Sequence, residues 1–356
     1  MLARTIMAAP IATTDLDLIL EHTCDLWAEV RGQRIFLTGG TGFFGCWLVE
    51  SFLYANRELQ LGAQMAVLTR DPEAFTRKCP HLQSDPALTL IAGDVRDFEL
   101  SPELDDAEYR YVIHAATEAS AEQAAERPLE MLQTILRGTE RTLKFAGAHG
   151  TRKFLLTSSG AVYGDQPSAM THLSEAYAGG PNPLARGSVY AEGKRAAELL
   201  CGLYANREME CKIARCFAFV GPHLPLFAHF AIGNFIRDAI RGGAIEVNGD
   251  GTPMRSYLYA ADLAIWLWTM LFRAPSMEAF NVGSDEAVSI ADLARTVAGA
   301  LGLEVPIRVA EQAQPGAAVR RYVPAVGKAE RMLGLRPIVS LEEGVRRTAE
   351  WHGYRL

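Results

Sequence analysis

Short apolar runs, each bounded by Gly, Pro, Asn or Asp, recur through the first two thirds of the chain with stretches of helical period between them. The runs "RIFLTG" (34–39), "AQMAVLTR" (63–70), "LTLIAGD" (88–94), "YRYVIHAA" (109–116), "RKFLLTSS" (152–159) and "CKIARCFAF" (211–219) read as strands. Helices are expected after the first strand to about residue 55, over 128–149, and over 189–206. Strands with apolar residues at consecutive positions are buried on both faces, so the pattern predicts a parallel sheet covered by helices on both sides. Ahead of the first strand, Ile19, Thr23, Leu26, Trp27 and Val30 recur at helix spacing over 14–30, with Asp15 or Asp17 as the candidate cap. That helix is expected on the outside of the domain. After Gly221 the pattern loosens: Pro222, Pro225, Gly242-Gly243 and "NGDGTP" (248–253) punctuate shorter elements, and one helix is expected over 289–302. This region reads as a smaller second lobe.

Composition narrows the function classes. The 356 residues are 49% hydrophobic and 22% charged, enough for a sizeable core, and the net charge of −7 gives no electrostatic footprint for nucleic acid. Cys24, Cys46, Cys79, Cys201, Cys211 and Cys216 form no C-x-x-C pair and are expected as buried free thiols in a reducing, cytoplasmic setting. The N-terminus carries no signal-peptide pattern, and the most apolar run, "LAIWLWTMLF" (263–272), is too short to span a bilayer, so no membrane association is expected.

Two motifs carry chemistry. "TGGTGFFG" places Gly39, Gly42 and Gly45 directly after a strand and before a helix opened by Phe43 and Phe44. Glycine there permits a tight turn, close approach to a pyrophosphate and close helix packing, and the helix N-terminus offers free amides to the anion. The second strand ends Leu68-Thr69-Arg70-Asp71 rather than on the acidic residue usual for NAD. Thr69 or Arg70 occupies the selecting position and Arg70 can pair with a 2′-phosphate, so NADP is favoured and NAD remains open. The opposing reading makes Arg70 a surface charge and Asp71 a helix cap. Asp94 and Val95 can hold the adenine edge. In "SVYAEGKRAAE", Tyr190 and Lys194 share a helix face at i, i+4. The ammonium would lower the phenol's pKa, letting it take a proton from a substrate hydroxyl while hydride leaves the same carbon. Ser159, ending the fifth strand, would position the reacting oxygen. His114 reads as a satisfied core histidine and Tyr163 as packing.

Together "GGTGFFG", "GDVRD" (93–97), "HAA" (114–116), "SSGAVYGD" (158–165), "YAEGK" (190–194), "ARCFAFVGP" (214–222), "GDGTPMRSYLYAADLA" (249–264), "NVGS" (281–284) and "RRY" (320–322) resemble an extended short-chain dehydrogenase/reductase of the nucleotide-sugar epimerase/dehydratase group, over roughly residues 32–340. The fold is accordingly expected to be α/β: a Rossmann-type doubly wound parallel sheet with a smaller C-terminal α/β substrate-binding lobe. The expected division is a helical extension (1–30), a dinucleotide-binding domain (31–172, 189–221 and 257–283) and a substrate-binding lobe (173–188, 222–256 and 284–356). The resemblance implies Ser159, Tyr190 and Lys194 as the catalytic set, with Lys194 also holding the nicotinamide ribose. It implies that Ala115 and Ala116 line the cofactor channel, that Arg255 grips the substrate diphosphate with Arg321 as a second contact, and that Asn234 faces the substrate nucleotide. A homodimer through the helices at 128–149 and 190–206 is the family expectation.

The departures are informative. Dehydrating members carry Asp-Glu after the catalytic hydroxyl as acid and base; here the pair is Gly160-Ala161, and the Glu of decarboxylating members is also missing. Ile135, Ala218 and Ser256 replace further polar residues of the family pattern. The resemblance therefore implies an NAD(P)-dependent epimerase or 4-ketoreductase acting at a sugar ring carbon, C4 being the expected one. A 4,6-dehydratase and a non-catalytic NADP-binding protein of the same fold are the alternatives.

Overall fold

The computed structural model describes residues 8–99, 106–117, 121–228, 230–314 and 316–355. Seven parallel strands form the central sheet: β1 (Arg34–Thr38), β2 (Gln64–Thr69), β3 (Leu88–Ala92), β4 (Tyr111–His114), β5 (Lys153–Ser159), β6 (Glu210–Cys216) and β7 (Ala279–Val282). Their spatial order is 7-6-5-4-1-2-3. The order reverses between β1 and β4, which pair in register Ile35 to Tyr111 through Thr38 to His114. A crevice opens at such a switch point, outside the strands' C-terminal ends, and that is where doubly wound sheets bind ligands.

Alternation along each strand explains the unbroken apolar runs. Ile35 and Leu37 of β1 enter one core, together with Met65 and Val67, while Phe36 enters the other with Ala66 and Leu68. Helix α3 (Pro128–Ala148) packs on α4 (Val189–Tyr204) over the second core. Helices α2 (Phe43–Glu58) and α5 (Ala260–Arg273) cover the first.

The N-terminal segment differs from its sequence reading. It is a shorter helix α1 (Thr13–Thr23), followed by a 3₁₀ turn (Trp27–Val30), and neither Asp15 nor Asp17 caps it: the N-cap is Ala12, with no side-chain bond. As expected, it packs on the outside of the domain. It lies across α2 and α5, with Trp27 against Trp268 at 4.9 Å between ring centroids. This coverage explains why α5 is buried on nearly every face. Asp15 is itself buried, accepting from Tyr259 at 2.6 Å and from Arg347 at 2.5 Å, which fastens α1 to the C-terminal helix Leu341–Trp351. Among the described residues no helix is long and apolar enough to cross a membrane. Five cysteines are buried as expected, but Cys24 is exposed.

Removing one partner of a buried ion pair leaves an uncompensated charge. Arg347→Ala is therefore expected to cost about 3 kcal/mol of unfolding free energy in urea, because Asp15 cannot reach water. Arg346→Ala, on a more exposed pair with Glu343, should cost under about 0.5 kcal/mol. Equal losses would show that the Asp15 fastening contributes nothing.

Candidate active site

At the switch point β1 gives way to a glycine turn and then to α2. Gly39 has φ of 76°, and a Cβ there would fall 2.5 Å from the Ala115 carbonyl carbon, so only glycine lets this loop cross the end of β4. A Cβ at Gly45 would meet the Gly39 carbonyl oxygen at 2.2 Å, which fixes how closely α2 packs on the loop. Gly42 is different: it faces open space, its nearest neighbour being the Gly39 oxygen at 3.4 Å. It is the N-cap of α2, and no side chain bonds the first turn. The free amides and the helix dipole are left for an anion.

A cleft of about 440 Å³ runs from this loop across Thr69, Arg70, Asp94, Val95 and Ala116. A second, of about 640 Å³, continues past Phe43 and Phe44 to Ser159, Tyr190 and Lys194. The two share Gly39, Gly42, Ala115 and Thr117 as walls, so the glycine turn sits at their midpoint. Two chambers joined over a phosphate-sized glycine cradle fit a dinucleotide, its pyrophosphate at the turn. Within the first chamber, the Asp94 carboxylate is clamped by Arg96 at 2.8 Å on both oxygens, which with burial and the Arg96 amide nets to a carboxyl held below its ordinary range. Asp71 caps the helix Pro72–Lys78 through the Ala74 amide at 2.8 Å, so its carboxylate is already engaged.

Two adjacent hydroxyls end β5, and their partners separate them. Ser158 also lines the cleft, but its hydroxyl donates to Glu198 at 2.5 Å, and Glu198 is paired with Arg215 at 2.7 Å. Ser159 lines the cleft and accepts from the Ala161 amide at 3.1 Å. On α4, Lys194 is buried and donates to Thr117 Oγ1 and to the Thr157 carbonyl, both at 2.8 Å. Burial pulls its pKa down to about 8.

Tyr190 departs from the sequence reading. Burial pushes its phenol up to about 12, and the interaction with Ser159 offsets only part of that. The Lys194 ammonium does not lower it, because Nζ points to Thr117 and Thr157 and lies 6.0 Å from the Tyr190 ring centroid. His114 is a core residue: it bonds Thr38 at 2.7 Å and Thr139 at 3.1 Å, and burial holds its pKa at about 3. Tyr163 packs, its hydroxyl donating to Asn281 at 2.7 Å.

A third cleft, of about 1030 Å³, meets the second at Ser159 and Tyr190. Arg255 lines it, half-buried, and burial lowers its pKa. Arg321 and Asn234 are not among the residues lining these three clefts. Arg321 and Tyr322 are consecutive in a short strand beside Met254–Arg255. Side chains alternate along a strand, and it is Tyr322 that lines the cleft, while Arg321 Nε is buried without a hydrogen bond. The Asn234 carboxamide oxygen is taken by Arg237 at 2.9 Å. Thr117, Arg186, Tyr257 and Tyr322 line the site without having been singled out from sequence. The "RRY" motif held the signal for Tyr322, and strand alternation was the missing step.

A side chain at Gly160 has to displace its neighbours: a Cβ would lie 2.7 Å from both Tyr322 Oη and Phe217 Cζ. Among the described residues, no Asp or Glu lines either of the two clefts that meet at Tyr190. The ionisable groups there are hydroxyls, a thiol, Lys194, Arg186 and Arg255. That set can hold an anion and pass protons between hydroxyls, and it offers no carboxylate base.

Comparison with known proteins agrees with this architecture. Residues 35–283 match the model of the NAD dependent epimerase/dehydratase family. UDP-glucuronic acid decarboxylase 1 of Xenopus tropicalis is 31% identical over 325 residues, covering 91% of this chain and 73% of that protein. UDP-glucuronic acid decarboxylase 6 of Arabidopsis thaliana is 32% identical over 315 residues, covering 88% and 87%. Among solved structures, MoeE5 in complex with UDP-glucuronic acid and NAD superposes with a TM-score of 0.71 at 26% identity, covering 90% of this chain and 99% of that one. The chain belongs to the NAD dependent epimerase/dehydratase family, whose members act on nucleotide sugars.

Proposed function

We propose that the protein transfers hydride to and from C4 of a nucleotide-activated sugar without eliminating water, as a 4-epimerase or a 4-ketoreductase. The observation that carries this reading is the junction at Ser159 and Tyr190: the cofactor-shaped and substrate-sized clefts meet there, and among the described residues no carboxylate lines either. NAD(P), when bound, supplies the acceptor and donor of hydride. The chain's residues do the rest. The glycine turn at Gly39, Gly42 and Gly45 receives the pyrophosphate, and Ala115 and Ala116 wall the channel. Ser159 orients the C4 oxygen, and Tyr190, whose phenol burial keeps protonated, gives its proton to that oxygen as hydride arrives at C4 and takes it back in the reverse direction. Lys194 holds the end of the cofactor cleft together by bridging Thr117 and the Thr157 carbonyl. Arg255, with Arg186, supplies positive charge for the substrate's diphosphate; Arg321 and Asn234 keep at most an indirect role.

A second reading is supported by the decarboxylase relatives. Oxidation at C4 of a nucleotide hexuronate makes a β-keto acid. Its carboxylate leaves as CO2 with the electron pair flowing to the C4 ketone, and C5 then gains a proton. That step needs no carboxylate base, and Arg186 or Arg255 could hold the acid.

A panel of nucleotide sugars separates the readings. With a catalytic amount of NAD or NADP, a C4 epimer formed without net cofactor change means epimerase. Stoichiometric NADPH loss with a 4-keto sugar means ketoreductase, and CO2 from UDP-glucuronic acid supports the second reading. Tyr190→Phe should lower turnover by about 10²–10⁴ while cofactor binding persists; retained turnover would remove Tyr190 from the chemistry. NADP is the proposed cofactor, because Thr69 and Arg70 wall the ribose end where an acidic residue would select NAD. Arg70→Asp should shift the ratio of NADP to NAD affinity toward NAD, and an unchanged ratio would place Arg70 outside recognition.

A homodimer is proposed through α3 and α4, on which Leu129, Leu199 and Leu203 are each at least 66% exposed. Leu199→Glu with Leu203→Glu should halve the mass found by light scattering; a mass equal to that of the unaltered protein would contradict this interface.

A further inference from the structure

Beneath the glycine turn, and not among the residues lining the three clefts, lies a group of side chains that hydride transfer does not use. Cys46 on α2, Cys79 just after the helix Pro72–Lys78, and His223 after the strand that ends at Val220 converge so that their sulfur and ring-nitrogen atoms all lie within 4.8 Å of one another. All three are buried, and the His223 side chain is 0% exposed.

The surroundings of His223 are organised around one nitrogen. Nε2 pairs with the buried Glu50 carboxylate at 3.2 Å, and the other Glu50 oxygen accepts from the Ile11 amide at 2.8 Å. His81 approaches the same carboxylate at 3.3 Å. Burial alone would raise the Glu50 carboxyl, but the bonds with His223, His81 and Ile11 outweigh it and hold it low. With the carboxylate on Nε2, Nδ1 is the nitrogen left to face a ligand, and it is buried with no hydrogen-bond partner among the described residues. His223 also holds a left-handed backbone, φ 69°, which a residue other than glycine seldom adopts. Carboxylate, imidazole and thiols in this order form the arrangement by which proteins present histidine to a metal.

We infer that Cys46, Cys79 and His223 form a binding site for a thiolate-seeking divalent cation of the zinc type, with Glu50 as the carboxylate that orients the histidine. Two thiolates and a neutral imidazole balance a divalent charge and suit tetrahedral coordination. Lys78, whose Nζ is 3.7 Å from Cys46 Sγ and 3.0 Å from the Thr41 carbonyl, ties the site to the glycine turn. The fourth position is left to a water or to an exogenous ligand. Binding displaces the thiol protons and any proton on His223, so affinity rises with pH. The groups facing the ring are Cys46 and Glu50 from α2, with Trp351 and His352 from the C-terminal helix end. This inference is independent of the sugar chemistry.

The test is a Co²⁺ titration of the reduced, chelator-treated full chain, followed by native mass spectrometry with Zn²⁺. The expected result is one equivalent bound, with a thiolate-to-cobalt charge-transfer band and a higher melting temperature. Cys46→Ser, Cys79→Ser and His223→Asn should each abolish the band, the last keeping a side chain that tolerates the left-handed backbone. Cys24→Ser should leave it intact, and Glu50→Gln should weaken affinity by about 10–100-fold. Folded protein that takes up neither metal overturns the inference, and this outcome requires no variant. A band of equal strength in Cys46→Ser or His223→Asn overturns it as well.

Discussion

A single buried ammonium organises the active site. Lys194 sits below the surface of α4 with two fixed acceptors, the Thr117 hydroxyl just beyond β4 and the Thr157 carbonyl within β5. Those two bonds draw together the ends of two strands and the helix that carries Tyr190. Taking an ammonium out of water is costly unless hydrogen bonds replace the solvent, and here burial lowers its pKa to about 8. The arrangement persists because the sheet around it is rigid: β4 and β5 pair from Tyr111–Lys153 to His114–Leu156, and both cores press on them. With Lys194 in place, Tyr190 and Ser159 face the same space, and the cofactor and substrate clefts meet between them.

The second constraint is steric. The position after Ser159 is approached by Tyr322 and Phe217, whose ring ends lie 2.7 Å from where a Cβ would stand, so a side chain there has to displace them. The space in which elimination chemistry would need an acid and a base is thus occupied by an aromatic ring and a phenol. Burial also raises the pKa of Tyr322, Tyr257 and Tyr190, making these phenols proton holders at neutral pH. Among the described residues, the charged side chains that line the two clefts are Lys194, Arg186 and Arg255. That polarity suits a neutral sugar ring attached to an anionic diphosphate.

Much of this was legible in the sequence because local rules governed it. Gly39 and Gly45, where a Cβ would be driven into backbone, stand in a motif whose spacing already encodes the turn. The strands were legible because burial on both faces leaves no other pattern. What could not be read depended on contacts distant in sequence. The full burial of α5 follows from α1 lying across it, and Asp15 looked like a helix cap until Tyr259 and Arg347 were found on it. The family resemblance points to Arg321 as the phosphate contact, whereas strand alternation puts Tyr322 in the cleft. The influence of Lys194 on Tyr190 was inferred from i, i+4 spacing, but spacing does not say where Nζ points.

The central claim is that the site moves hydride at C4 and cannot eliminate across C5 and C6. UDP-glucose carrying deuterium at C4, turned over in ordinary water and the product read by NMR, tests it most directly, with the reverse labelling in D2O as its complement. The account predicts that deuterium stays at C4, that no solvent deuterium appears at C5, and that the C6 hydroxyl is kept. Solvent deuterium at C5 together with loss of the C6 oxygen would contradict it.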